Sequence, residues 1–547
     1  MNSCNGNRPP LVTVVTIALV GVLIGTLLTS AILGRRYARL ARSREVVVRH
    51  DVSGGTGNWY KLDMILDIVA DKYVDEVDRE KVTDAALDAA LASLDPHSIY
   101  MPPVELDEAE SQLAGDFEGI GIQFNVPNDT ATVLEVISGG PSEKAGLLPG
   151  DRILKVDDRV IAGRRFPQDS MVMLMKGPSG TKVTLTLDRQ GTVFPVEIKR
   201  GKIPLHSVDA SFMIDDTTGY IRLAKFSMTT YHDFVDAFGP LLRSGMKKLI
   251  IDLRDNSGGY MDQAIYLAQE LLPAGQMIVY TEGRRHPREE THSEGRGRLQ
   301  DVDLVILINE FSASASEILA GAVQDNDRGL IVGRRSFGKG LVQEPVYFTD
   351  GSGIRLTVAR YYTPSGRCIQ KPFTDDYEYE AYERYNLGGE AYAADGLTVD
   401  STQAYQTRLG RTVYGGGAII PDVIVPVDTT RATPFYIACN RKSTQMRYAA
   451  WVFDKHPGTL SAIDSYPAMD RFLESLDMPH AFPAFAKDRD GIELREGEWE
   501  ETAPYLMPQL RALIARYSKL GENAFYKYYL EIDDVLKKAV AAPAIAR

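Results

Sequence analysis

The chain has 547 residues, 44% of them hydrophobic, a length that suggests about three or four domains and an apolar content that suits packed globular cores. Its 74 acidic against 61 basic side chains give a net charge of −13, and no basic stripe with interleaved aromatics occurs, which argues against nucleic acid as a partner. The eight histidines are scattered and neither HExxH nor paired CxxC is present, so no metal and no other cofactor is expected.

In chain order, Leu11 to Leu33 is 23 residues without a charge, long enough to span a bilayer and long for the apolar core of a cleaved signal. Residues 1–34 are therefore read as a retained transmembrane anchor, with cleavage near Ala31 as the alternative. Residues 35–57 form a linker ending in Ser53-Gly-Gly-Thr-Gly57. Residues 58–114 carry a helical pattern, as in Leu62, Ile65, Leu66 and Val69. Over residues 115–200, Phe117-Glu-Gly-Ile-Gly-Ile-Gln-Phe124 begins with glycines and continues as an alternating strand. Such a loop beside an open strand edge can capture a peptide carboxylate and add the peptide as a strand. Ser142-Glu-Lys-Ala-Gly-Leu-Leu-Pro-Gly-Asp-Arg-Ile-Leu154 then reads as helix, glycine stop, turn and strand.

Residues 201–428 carry the chemistry. Lys248-Leu-Ile-Ile-Asp-Leu253 predicts a buried strand, Arg254-Asp-Asn-Ser-Gly-Gly259 a turn, and Met261 to Leu272 a helix. Gly258 and Gly259 let backbone approach a ligand closely, so one of their amides could complete an oxyanion hole. Leu304-Val-Ile-Leu-Ile308 predicts a second strand, followed by Ser312, Ser314 and Ser316 and a helix from Glu317. Ser314-Ala-Ser-Glu317 is also a capping box, so capping is the bland alternative for Ser314. Phe337-Gly-Lys-Gly-Leu-Val-Gln343 changes that balance. Lys339 and Gln343, four apart, share one face in either a helix or a strand, and the flanking glycines favour the extended form. A serine needs a base to become nucleophilic, a lysine serves only when partly neutral, and a glutamine orients it without adding charge. The helix start after Ser314 offers N–H groups and positive dipole to a developing oxyanion.

Together these stretches resemble the C-terminal processing (tail-specific) peptidases, from about Trp59 to Asp428. Leu94-Asp-Pro-His-Ser-Ile-Tyr100, the PDZ-like stretch from Gly119, Asp252 to Gly259, the Ser-Ala-Ser-Ala-Ser-Glu and Gly-Lys-Gly-Leu-Val-Gln pair, and Gly415 to Asp422 carry the likeness. The resemblance implies a multidomain α/β chain, with a PDZ-like domain before a ClpP/crotonase-like protease core and a helical region after it. It implies Ser314 as nucleophile, selected by its 25-residue spacing from Lys339, with Lys339 as general base and Gln343 as its orienting partner. It further implies an oxyanion hole from the Ala315 amide and one from Gly258 or Gly259, and a carboxylate-binding loop of Gly119, Ile120, Gly121 and Ile122. One departure is Asn256-Ser257-Gly258, where many members have Asn-Pro-Gly, which leaves the turn less pre-set.

The implied function is a serine endopeptidase acting on proteins with accessible apolar C-termini. Its membrane anchor would place the catalytic domains on the periplasmic side of a bacterial inner membrane. Arg35, Arg36, Arg39, Arg42 and Arg44 follow the anchor and only Arg8 precedes it, the reverse of what the positive-inside rule asks of an exported domain. The alternative is a catalytically silent PDZ scaffold, against which the intact Ser314, Lys339 and Gln343 set argues; an ester hydrolase is disfavoured by the missing Gly-x-Ser-x-Gly elbow. His97 reads as structural, Cys4, Cys368 and Cys439 imply no disulfide framework, and the acid-rich Asp375 to Glu383 reads as a solvated face. Residues 429–547 are mostly helical, and their aromatics read as core. Docking on the catalytic domain or building a homo-oligomer stay open for this tail, and an activating adaptor is a further expected partner.

Overall fold

The computed structural model describes residues 60–126, 129–137, 139–374, 377, 382–383, 389–392, 399–428 and 430–545. The anchor and linker of residues 1–57 lie outside them; among the described residues no helix is long and apolar enough to cross a membrane. The chain divides into a unit of residues up to 106 with 344–356, and a unit of residues 107–343 with the rest from 357.

The smaller unit holds helices Tyr60–Lys72 and Arg79–Ala92, as their periodicity predicts. It also holds strand Ile99–Met101, paired antiparallel with residues 353–355, which the helical reading missed. Between them Asp95 accepts from the amides of His97 and Ser98, both at 2.8 Å, and from the Ser98 hydroxyl at 2.7 Å. The Asp-Pro-His-Ser stretch is thus an Asp-closed turn, with His97 in a structural place.

In the larger unit, strands Ile122–Asn125, Ala131–Val136, Arg152–Val156, Lys182–Arg189 and Thr192–Lys199 form a sheet in that spatial order. They close with helix Gln168–Met175 over a core that includes Val133, Ile153, Met171 and Leu185. Phe117 to Phe124 is not one strand. Gly121, at φ +79, bends the chain, so Asp116–Gly119 pairs with Gly201–Pro204 while Ile122–Asn125 becomes a sheet edge.

The second sheet runs, in spatial order, Val208–Met213, Thr218–Leu223, Lys248–Asp252, Asp303–Ile308, Leu330–Gly333 and Val423–Ile424. All pairs after the first are parallel. Its central strands are continuous apolar runs because both faces are covered. Leu249, Ile251, Leu304 and Ile306 meet the helices Thr230–Arg243, Met261–Leu271 and Ala315–Asp325. Ile250, Val305, Leu307 and Val332 meet Leu530, Val535, Leu536 and Ala539 of the tail. The tail therefore docks on the catalytic domain. Lys248 Nζ donates to the carbonyls of Val540 and Ala542, each at 2.8 Å. Tyr528, 3% exposed, lies in the tail's own core with Tyr448, Phe482 and Leu510.

The tail also holds the PDZ-like domain. The Phe453 ring lies against Gly150 so closely that a Cβ there would sit 1.9 Å from a ring carbon. Arg152 pairs with Asp454, and Phe453 stacks on Tyr517 at 4.8 Å. Cys368 and Cys439 are free thiols. Leu536 is 5% exposed on the covered sheet face, so Leu536→Ala is expected to cost about 2–5 kcal/mol. Urea unfolding checks this; a loss near zero would mean that the docking contributes little.

Candidate active site

Strand Asp303–Ile308 delivers the chain to Asn309, and helix Ala315–Asp325 departs from Ser314. Ser314 sits at φ 54, ψ −114, a backbone that a non-glycine residue keeps only when its surroundings enforce it. Its two neighbouring serines are buried and engaged. Ser312 Oγ donates to the Leu253 carbonyl at 2.8 Å and accepts from the Asn309 amide at 2.9 Å; Ser316 Oγ donates to the Asn256 carbonyl at 2.9 Å. Ser314 is half-buried.

Lys339 Nζ donates to Gln343 Oε1 at 2.8 Å, and Gln343 lies in strand Leu341–Tyr347, so the extended reading of the four-residue spacing is the one adopted. What joins this loop to Ser314 is Glu317, a fully buried carboxylate. Its Oε2 accepts from the amides of Ser314 and Lys339, each at 2.9 Å. Its Oε1 accepts from the Gly338 amide at 2.7 Å and the Ser336 hydroxyl at 2.5 Å. The Tyr361 hydroxyl adds a second tie, within reach of the Lys339 carbonyl at 2.6 Å and the Ser314 carbonyl at 3.1 Å. Burial pushes the Glu317 carboxyl up to about 7, while the four donors pull it down. Burial raises the Tyr361 phenol well above its usual range, so it stays a donor.

The turn after Lys248–Asp252 forms the opposite wall. Asn256, fully buried, donates to the Leu223 carbonyl and takes the Gly258 amide on Oδ1, both at 2.9 Å. That side chain pre-sets the turn without the missing proline. The Gly258 amide is thereby engaged, whereas the Gly259 and Ala315 amides donate to no acceptor among the described residues. Gly258 has φ +97, and a Cβ on it would lie 2.8 Å from Ser314 Cβ and 2.9 Å from the Ala315 nitrogen, so only glycine fits. Asp255 and Asn309 bond reciprocally, at 2.9 and 2.7 Å, and lock the turn to the loop before Ser314. Behind the turn lies Asp252, fully buried. Burial opposes its charge, but Arg254 and Arg222 hold it well below the usual carboxylate range. Arg254 reaches on to Asp533 of the tail at 2.7 Å.

In the PDZ-like domain, Gly119 pairs with Gly201. The carbonyls of Ile120 and Gly121 are tied back by the amides of Ser142 at 2.9 Å and Ile137 at 3.1 Å. The amides of Ile120 and Gly121 donate to no acceptor among the described residues, and Ile122 opens the edge strand.

The structure thus gathers Ser314, Ala315, Gly258, Gly259, Lys339 and Gln343 around one helix start and places the Gly119 to Ile122 loop in a separate domain. Glu317 was visible in sequence only as the last residue of a capping box and Asn256 only as part of the turn motif; Tyr361 gave no signal, because its partners Lys339 and Ser314 are distant in sequence. Tyr377 departs from the solvated reading of its stretch, being 3% exposed.

A family model described as Peptidase family S41 matches residues 217–379, and a PDZ domain model matches residues 119–199. A carboxy-terminal-processing protease of Bartonella bacilliformis is 37% identical over 311 residues, 56% of this chain and 71% of that protein. The carboxy-terminal processing protease CtpA of Bacillus subtilis is 33% identical over 357 residues, 65% of this chain and 74% of that one. Among solved structures, a photosystem II D1 C-terminal processing protease is 27% identical with a TM-score of 0.37, covering 68% of this chain and 87% of that chain. Two domain types are therefore present, a PDZ domain and a serine-type peptidase. The chain belongs to the carboxy-terminal-processing proteases of peptidase family S41.

Glu317→Ala would leave three amides, that of Gly338 buried, and the buried Ser336 hydroxyl without their acceptor, so a stability loss of about 3 kcal/mol or more is expected, with activity falling alongside it. Denaturant unfolding and turnover check this; an active, equally stable variant would remove Glu317 from its central place.

Proposed function

We propose that this peptidase captures the C-terminus of a substrate protein at its PDZ domain and cleaves it with a Ser314–Lys339 dyad outside the cytoplasm. The observation that carries this reading is the double tie of Glu317 and Tyr361, each of which reaches the backbone of both Ser314 and Lys339. Two residues 25 apart in sequence are held by shared partners, which is what proton transfer between their side chains needs.

As general base, Lys339 acts in its neutral form, the only one with a lone pair to accept a proton. It takes the proton from Ser314 Oγ as that oxygen attacks the scissile carbonyl. The amine then leaves with the proton from Lys339, and an acyl ester remains on Ser314. Water, deprotonated by the same amine, hydrolyses the ester and returns Ser314. In both tetrahedral intermediates the oxyanion lies against the Ala315 and Gly259 amides, with the positive helix start behind them. Gly258 closes the turn and gives the room for this approach. Gln343 orients the Lys339 amine.

The Gly119, Ile120, Gly121 and Ile122 loop supplies amides to the substrate carboxylate, and the edge strand from Ile122 adds the tail as a further strand. An apolar C-terminal residue suits this mode. Leu11 to Leu33 tethers the enzyme to the membrane, with the catalytic domains on the periplasmic side. Reporter fusions after residue 58 test that side directly, and a cytoplasmic result would side with the arginines that follow the anchor.

Ser314→Ala and Lys339→Ala are each expected to lower turnover by roughly a thousandfold or more with the fold intact. Cleavage of an unstructured protein with an apolar C-terminus, together with thermal unfolding, measures both; near-parent activity of Lys339→Ala would sink the dyad. Amidating the substrate's C-terminal carboxylate is expected to raise KM, and equal cleavage of both forms would remove the PDZ domain from substrate capture.

A further inference from the structure

A second lysine, Lys371, is buried beside the loop of the candidate base, 2% exposed. Its ammonium lies 4.4 Å from the centroid of the Phe337 ring and 4.1 Å from that of Tyr377, and it donates to the Tyr377 carbonyl. The two rings meet edge to face at 6.1 Å. The Lys371 amide donates to the Gly338 carbonyl at 3.0 Å. Its neighbour Gln370 takes the Gly340 amide on Oε1 at 2.9 Å and reaches the Tyr377 hydroxyl at 2.9 Å. Phe337, Gly338 and Gly340, on both sides of Lys339, are thus gripped by Gln370-Lys371.

The grip matters because the loop has little stiffness of its own. Lys339 stands between two glycines, and Gly338 has φ +93. Glu317 and Tyr361 fix the loop from the Ser314 side, through the Lys339 amide and carbonyl. Nothing in those two bonds sets how far the loop tips about them. The Phe337–Lys371 contact supplies that second support, at a ring two residues before the base. A buried ammonium between aromatic faces is held by cation–π attraction and dispersion, both steep in distance.

We infer that Lys371 is a positioning residue for Lys339: caged by Phe337 and Tyr377, it pins the glycine-flanked loop so that the base amine meets Ser314. This rests on the Ser314–Lys339 reading. The cage also gives a place to Tyr377, from a stretch whose composition reads as solvated.

The test compares full-length parent, Lys371→Met, Phe337→Leu, the double variant, Lys371→Arg and Lys339→Ala on one unstructured protein substrate. Methionine keeps the apolar stem and removes the cation. Lys371→Met is expected to lower kcat by roughly 10- to 100-fold, since a base displaced by about an ångström loses that much. KM is expected to stay within about twofold, because substrate capture lies elsewhere. Phe337→Leu is expected to lower kcat similarly, and the double variant no further than the worse single one, as both act through one contact. Lys371→Arg, which keeps a cation between the rings, is expected to recover part of kcat. Parent kcat in Lys371→Met, or equal losses when Met and Arg replace Lys371, with Lys339→Ala inactive, would overturn the positioning role alone. Activity in Lys339→Ala would instead overturn the dyad and this inference with it. If Lys371→Met does not fold, Phe337→Leu and Lys371→Arg decide by the same kcat criterion.

Discussion

Everything at the site hangs on one buried carboxylate. Glu317 accepts from the amides of Ser314, Gly338 and Lys339 and from the Ser336 hydroxyl, so two loops with no covalent closeness share one anchor. Burying a carboxylate is unfavourable unless its lone pairs are met, and here four donors meet them. The same contact enforces the strained Ser314 backbone, because the helix start that Glu317 caps cannot relax without breaking the lysine loop's bonds.

A second constraint runs from the sheet to the tail. Asp252 ends a central strand and is held by Tyr220, Arg222 and Arg254; Arg254 continues to Asp533. The turn carrying Gly258 and Gly259 starts two residues later, so the tail braces the wall of the site facing Ser314. The tail's other end touches the PDZ domain through Phe453 and Asp454. One helical region therefore spans from the PDZ domain to the catalytic sheet, and its docking face is apolar because it covers an apolar sheet face.

Much of this was legible in sequence for identifiable reasons. The strands Lys248–Asp252 and Asp303–Ile308 show as apolar runs because both sheet faces are buried, and helix Met261–Leu271 shows by its periodicity. Ser314, Lys339 and Gln343 stand out because their chemistry is rare in that spacing. Phe117 to Phe124 misled, because alternation continues through the bend that Gly121 makes. Strand Ile99–Met101 was hidden by its three-residue length. Tyr377 was hidden by the acids around it, since composition reports an average and burial is decided residue by residue.

By itself, then, the sequence determined the order of elements, the serine and lysine proposed as the dyad, and the glycines that let backbone come close, all of which are local properties of a few neighbouring residues. Only the tertiary structure decided that Glu317 and Tyr361 bond the backbones of both residues, that Lys371 lies between Phe337 and Tyr377, that among the described residues the Gly259 amide rather than that of Gly258 is the one left without an acceptor, and that the tail closes the second face of the sheet. Each of these depends on which distant atoms come within about 3 Å of a donor or about 4 Å of an apolar surface, and no spacing along the chain encodes that.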